Sequence, residues 1–472
     1  MLRHAARSGV RRWAGSTFPP AAIQTACIAD ATPSLRAFRP LDGLSALLEA
    51  SVDPTPQQGG PIRTARALAI VHLAMYDAYV GVKGGPPYLS YTASENPGTT
   101  DTPAAQAAVA AAACLTLIDL FSRQKDTFLQ QHQAFITMLN ESDPKIARGL
   151  AWGSLVAAKM LAARKDDGSA ASNDQYAPSA EPGRHRVDPL NPTQGYLGPL
   201  WGHVKPFGIN NLNTAVPGMP PPALNSTQYA TDFNAVKTLG TATGGTRTSA
   251  QTTIGVFWAY DGPRNIGVPP RLYNQIVRNI AAQHGTNEAT NAKLFAMVNV
   301  AMADAGIQAW HEKYRYNVWR PVIGIREANA GWGPTGKGDG NPATVGDPYW
   351  LPLGAPRTNQ PGKTAFTPPF PAYPSGHATF GTAALHVTQL LLGLPSTFSF
   401  EFVSDELNGE SVDGDGSLRT KHRRTLTIAE AIEENILSRV YLGVHWEFDG
   451  REGEKNGRLI AEKINAAFPA FA

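Results

Sequence analysis

The chain has 472 residues, 41 Lys+Arg against 38 Asp+Glu, a formal charge of +3 and 42% apolar side chains. That apolar share excludes disorder throughout, the near balance of charge gives no general attraction to nucleic acid or anionic membrane, and two cysteines cannot form the framework of a small disulfide scaffold. Forty-five glycines and 38 prolines exceed the usual combined share of about 12%, so much of the chain must be ordered but irregular loop.

Arg3, Arg7, Arg11 and Arg12 occur with no acid before Asp30. Residues 1–40 therefore read as a tail or a targeting segment of organellar or twin-arginine type, which leaves the compartment open, extracellular and periplasmic included. From Pro61 the pattern turns helical, with Ala65, Leu68, Ala69, His72, Leu73, Tyr76 and Tyr79 at three- and four-residue intervals. Similar stretches follow at about 104–122, 144–165, 226–239 and 270–284. The longest apolar run, Ala107 to Ile118, is short of the roughly twenty residues that cross a bilayer, so a soluble chain without a membrane span is expected. Strand patterns are scarce, and Pro- and Gly-rich segments at 178–222 and 329–371 separate the helices. The expected fold is mainly α: two packed helical bundles, 41–245 and 246–472, joined by long Gly/Pro-rich loops.

Three further helices, at about 288–319, 377–393 and 427–447, lie beside polar clusters. In the first, Lys313 and Arg320 stand seven residues apart before Pro321, which on a continuous helix puts two cations on one face. Such a pair is tolerable when both point at one anion, although a solvated basic face has the same spacing. In the second, Pro374-Ser375-Gly376-His377 opens a helix, where unpaired N–H groups seat an oxyanion and glycine lets it approach; an ordinary cap with a surface histidine reads the same. In the third, His445 and Asp449 are four apart, so Asp449 can take one ring N–H and leave the other nitrogen free as nucleophile or metal ligand. A buried histidine satisfied by a nearby acid gives the same pattern. Arg439, six before His445, shares a side with it only by reach or by a helix break near Gly443.

Together these clusters supply three cations, a hydroxyl, helix-start N–H groups and two histidines. The pattern K-x6-RP, PSGH, SR-x5-H-x3-D is similar to the signature of the phosphatidic acid phosphatase type 2 superfamily, which includes the vanadium-dependent haloperoxidases; Lys313, Arg320, Pro321, Pro374 to His377, Ser438, Arg439, His445 and Asp449 match it. Phe-Trp-Ala-Tyr-Asp261-Gly, Pro-Pro-Arg-Leu-Tyr-Asn-Gln and Pro-Pro-Phe370-Pro-Ala-Tyr-Pro-Ser-Gly-His also resemble segments of the fungal vanadium chloroperoxidases, which continue much further beyond the position of Asp449.

That resemblance implies vanadate as cofactor, without haem or flavin, and hydrogen peroxide, halide and an organic acceptor as partners; oligomeric state is left open. It implies His445 as the vanadium ligand and Lys313, Arg320, Ser375, Gly376 and Arg439 around the oxygens. His377 would assist proton transfer, Lys313 would polarise peroxide, and Asp449 would orient His445. Asp261 would pair with Arg439, and Trp310 and Phe370 would form an apolar wall that suits chloride as well as bromide. A soluble acid phosphatase with a His445 nucleophile, or a non-catalytic oxyanion-binding protein, would use the same donors. Gly331 to Lys337 has phosphate-loop spacing but lacks the Ser/Thr and the strand, and reads as a loop; Asp413-Gly-Asp415 lacks the last EF-hand glutamate and reads as a turn.

Overall fold

The computed structural model describes residues 57–139, 143–170 and 175–469; the expected targeting segment and Cys27 lie outside them. Four helices open the described chain: α1 (Pro61–Lys83), α2 (Thr102–Leu120), α3 (Lys125–Met138) and α4 (Pro144–Arg164). α1, α2 and α4 begin with Pro in the first turn, where a missing N–H costs nothing. The Ala-rich run of α2 has a packing purpose, because a Cβ on Gly149 or Gly153 of α4 would lie 2.2 Å from the carbonyl of Ala104 or Ala108.

By length and composition α2 and α4 are both apolar enough to cross a membrane, so the apolar stretch around Ala107 to Ile118 extends beyond that run. Most of the apolar window of α2 is buried inside the fold, as expected of a core helix.

The short α5 (Leu212–Ala215) interrupts the long loop, and α6 (Thr227–Leu239) and α7 (Ser249–Phe257) follow, each with a Ser or Thr side-chain cap. Next come α8 (Pro269–His284), α9 (Glu288–Tyr316), α10 (Pro321–Glu327) and α11 (Gly376–Leu392). Strand β1 (Ser399–Val403) pairs antiparallel with β2 (Arg423–Thr427), Ser399 opposite Thr427, and leads into α12 (Ile428–Tyr441) and α13 (Glu447–Ala467).

α9 is buried around nearly its whole circumference, which makes it the axis of the fold. It packs on both α1 and α11, and one hydrophobic cluster runs from Ile62 to Phe468. α11 and α13 are in the most extensive contact of any pair, since a Cβ on Gly453 or Gly457 would come within 2.8 Å of the Ser375 or Thr379 carbonyl. This close approach sets the start of α11, where Ser375 stands, against the first turns of α13.

Candidate active site

Lys313 lies in the last turn of α9, but the helix stops at Tyr316 rather than continuing to about 319. Asn317 takes the left-handed conformation (φ 55°), and an extended stretch carries the chain to Arg320, the residue before α10. Contrary to expectation, Lys313 and Arg320 do not share one face of a continuous helix: a turn separates them, and Pro321 starts the next helix. Lys313 Nζ donates to the carbonyls of Pro371, Ala372 and Pro374, the first two at 2.8 and 3.0 Å, so its three protons are occupied. As placed, it acts on the pocket through charge and not through a free donor. It also lies 5.5 and 5.2 Å from the ring centroids of Trp310 and Phe370, whose π faces attract it.

Ser375 is the N-cap of α11, its hydroxyl accepting the Ala378 N–H at 3.5 Å. Its own N–H donates to the Asp449 carbonyl, which ties this loop to α13. The N–H groups of Gly376 and His377 open the helix and have no intrahelical partner. A Cβ on Gly376 would stand 3.3 Å from the Trp310 ring. His377 Nε2 is 2.6 Å from the Ala259 carbonyl, and a carbonyl only accepts, so Nε2 carries the proton and Nδ1 the lone pair. Burial and the cations Arg439, Arg320 and Lys313 hold its pKa well below the usual histidine value, which keeps the ring neutral.

The third cluster is not one helix over 427–447. α12 ends at Tyr441, Gly443 adopts φ 69°, and α13 starts at Glu447. This break sets the charge of Arg439 within reach of His445. A Cβ on Gly443 would lie 2.5 Å from the Gly240 carbonyl, and one on Gly240 would lie 2.5 Å from Gly443 Cα, so the two glycines meet backbone to backbone.

Arg439 chelates Asp261, Nη1 to Oδ2 at 3.0 Å and Nη2 to Oδ1 at 2.8 Å. His445 Nδ1 lies 2.8 Å from Asp449 Oδ2, and its Nε2 lies 2.8 Å from Arg320 Nη1. A guanidinium only donates, so Nε2 holds the lone pair and Nδ1–H points to Asp449. Burial pushes the Asp449 carboxyl above the ordinary aspartate range, while Lys313 and Arg320 oppose the shift. Arg320 also donates from Nε to Phe370 O and from Nη1 to Val444 O.

Two guanidinium nitrogens of this cluster, Arg320 Nη2 and Arg439 Nε, are buried without a hydrogen-bond partner among the described residues. Leaving a charged donor unpaired away from water costs more than about 1–3 kcal/mol, so such a pair calls for an acceptor. His377, His445, Asp261 and Gly376 border a cavity of about 280 Å³, with Trp310 and Phe370 4.7 Å apart between ring centroids on its wall. Three buried cations, orphaned donors and one fixed imidazole lone pair can hold a tetrahedral oxyanion and ligate its central atom.

Other contributors carried no sequence signal. Tyr273 Oη and Asn435 Nδ2 both donate to the His377 carbonyl at 2.9 Å, fixing the backbone that presents the ring. His185 is buried with neither ring nitrogen hydrogen-bonded among the described residues, and burial, Arg320 and Lys313 press its pKa well down. In the Gly331–Lys337 loop, Lys337 is engaged by Glu181 rather than poised over a phosphate.

Residues 46–197 match the model of the vanadium chloroperoxidase N-terminal domain, and 293–470 match that of the second helical-bundle domain of the same enzymes. Vanadium chloroperoxidase of Curvularia inaequalis is 33% identical over 474 aligned positions, covering 83% of this chain and 75% of that protein. Among solved structures, a bacterial vanadium-dependent iodoperoxidase superposes with a TM-score of 0.66 at 21% identity, over 89% of this chain and 94% of that one. A holo-type bacterial vanadium-dependent chloroperoxidase gives 0.62 at 16% identity, over 93% and 98%. At those identities the structures speak to a shared fold.

Proposed function

Because the chain belongs to the vanadium chloroperoxidase family, we propose that the pocket around His445 binds vanadate and there oxidises halide with hydrogen peroxide. Halide, peroxide and one proton give hypohalous acid and water; the acid then halogenates an organic acceptor and releases a second water. The observation that carries the assignment is the pair of orphaned guanidinium nitrogens beside a histidine whose Nε2 lone pair is fixed.

The residues present fit vanadate, with His445 Nε2 as its ligand and Arg320, Arg439, Ser375, the Gly376 N–H and the charge of Lys313 compensating its oxygens. When bound, vanadate supplies a vanadium(V) Lewis acid that activates peroxide without changing oxidation state. His377, neutral and anchored through Nε2–H, offers Nδ1 to take a proton from incoming peroxide and return it to the departing oxygen. Asp261 holds Arg439 in place, and Asp449 keeps the His445 lone pair on Nε2. Trp310 and Phe370 exclude water, which strengthens the field of the cations on the reacting oxygens and supports chloride as well as the more easily oxidised bromide.

The test is to dialyse the purified protein against EDTA, restore vanadate, and follow peroxide-dependent halogenation of a dye with bromide and with chloride, alongside aryl-phosphate hydrolysis without vanadate. Halogenation should return only with vanadate. Its absence with both halides would overturn the assignment.

A further inference from the structure

The cavity above His377 and His445 is larger than peroxide and a halide require. At about 280 Å³ it exceeds the cavity of about 150 Å³ that accommodates benzene, so a substituted ring fits. One part of its wall is built of rings, Phe366, Pro368, Pro369, Phe370, Phe380 and Trp310. Flat apolar faces of this kind suit an aromatic guest, and an electron-rich ring is also what electrophilic halogen attacks.

One cation in that wall has no assigned task. Arg357 donates from Nε to the Thr364 carbonyl at 3.3 Å and stacks with its guanidinium carbon 3.8 Å from the Phe366 ring centroid. Stacking fixes the guanidinium plane, yet Nη1 and Nη2 make no hydrogen bond or ion pair among the described residues. The carboxylates whose fields reach it are committed elsewhere. Asp261 chelates Arg439, and Asp188 accepts from the N–H groups of Leu190 and Thr367 and from Asn191 Nδ2. Gly60 and Pro61, at the N-terminus of α1, line the same cavity and add positive potential.

We propose that this cavity binds the organic acceptor itself, an aromatic acid whose carboxylate pairs with the free Nη edge of Arg357 while its ring lies against Phe366, Phe370 and the two prolines. The inference rests on the haloperoxidase reading of the neighbouring pocket and deepens it: halogen is transferred to a ring held in place. A planar carboxylate matches two parallel guanidinium N–H groups, whereas a halide would use one point of that fork and leave the ring-lined space unfilled.

The experiment compares 4-hydroxyphenylacetate with 4-methylphenol, which lacks the carboxylate, as acceptors for the vanadate-loaded enzyme at saturating peroxide and bromide. The acid should saturate. Arg357→Ala should raise its KM about tenfold or more while the KM for 4-methylphenol and for bromide stay within about twofold, and Arg357→Lys should fall between. Rates linear in acid concentration, an equal rise for both phenols, or a rise in the bromide KM would each overturn the proposal. Calorimetric titration of the acid into vanadate-loaded protein without peroxide gives a second reading: heat of binding in the native protein and its loss in Arg357→Ala are expected. If that binding is present but no halide is turned over, the haloperoxidase assignment has failed and the acid site has not; if native protein gives no binding, the acid site has failed.

Discussion

Asp77 and Asp304 in one part of the core, and Arg320 and Arg439 in the pocket, are all withdrawn from water, yet their hydrogen bonding differs. Asp304 accepts the N–H groups of Phe207, Gly208 and Ile209, and Asp77 those of Tyr88 and Leu89 together with the Tyr91 hydroxyl. Each carboxylate fastens a returning loop to a helix and is saturated in doing so. The two arginines are held just as firmly but each keeps one donor idle. All four residues are at most 1% exposed, so the contrast is not one of depth. Asp77 and Asp304 spend their capacity on fastening loops, whereas the idle donors of Arg320 and Arg439, being charged and set beside His445, leave room for an acceptor that arrives later.

Three substitutions or titrations can break this distinction. His445→Ala should abolish vanadate-dependent halogenation and weaken vanadate binding by far more than about tenfold, read by calorimetry, because it removes the one ligating lone pair. A loss below tenfold would show that the arginines alone make the site. Asp304→Ala should cost about 3–5 kcal/mol in denaturant unfolding by stranding three buried N–H groups. The folded fraction should still bind vanadate within about twofold of the native affinity; a larger change would erase the boundary between staple and site.

The smallest effect is a dependence on pH. Burial raises the Asp304 carboxyl to about 6, with its three N–H donors opposing. Since the folded pKa lies above the unfolded value, the folded state holds a proton that the unfolded state releases, and stability falls as pH rises through the window from about 4 to 6. Relative to Asp304→Asn, the native protein should lose up to about 3 kcal/mol between pH 4 and 7, measured from paired urea curves. A flat difference would mean that the carboxyl is ionised throughout.

Much of the fold could be read along the chain because it is periodic. The buried stripe of α1, the Thr427 capping box of α12 and the Ser375 cap of α11 are local patterns, and local patterns survive in sequence. The three clusters could be read as well, as types of donor at fixed spacing. Their geometry was less accessible. The spacing of Lys313 and Arg320 does not announce the left-handed turn between them; the local signal is Asn317 itself, because asparagine takes that conformation more readily than other residues with a side chain and often ends helices.

Carbonyls were invisible for a related reason. The partners of Lys313 Nζ and of His377 Nε2 are backbone oxygens 58 or more residues away, and every residue type has one. Tyr273 and Asn435 escaped notice likewise: each lies on its own helix at an ordinary core position, and only packing brings both to the His377 carbonyl.

The meeting of Gly240 with Gly443 has a consequence for anyone diversifying this protein. The loop that presents His445 is positioned by a contact between two residues without side chains, so neither position offers room even for a methyl group. A library aimed at acceptor scope should freeze positions 240 and 443, and should vary side chains only, not backbone length, at Arg357 and Phe366, because the neighbouring stretch donates from Leu353 to the Gly240 carbonyl and from Gly354 to the Leu442 carbonyl.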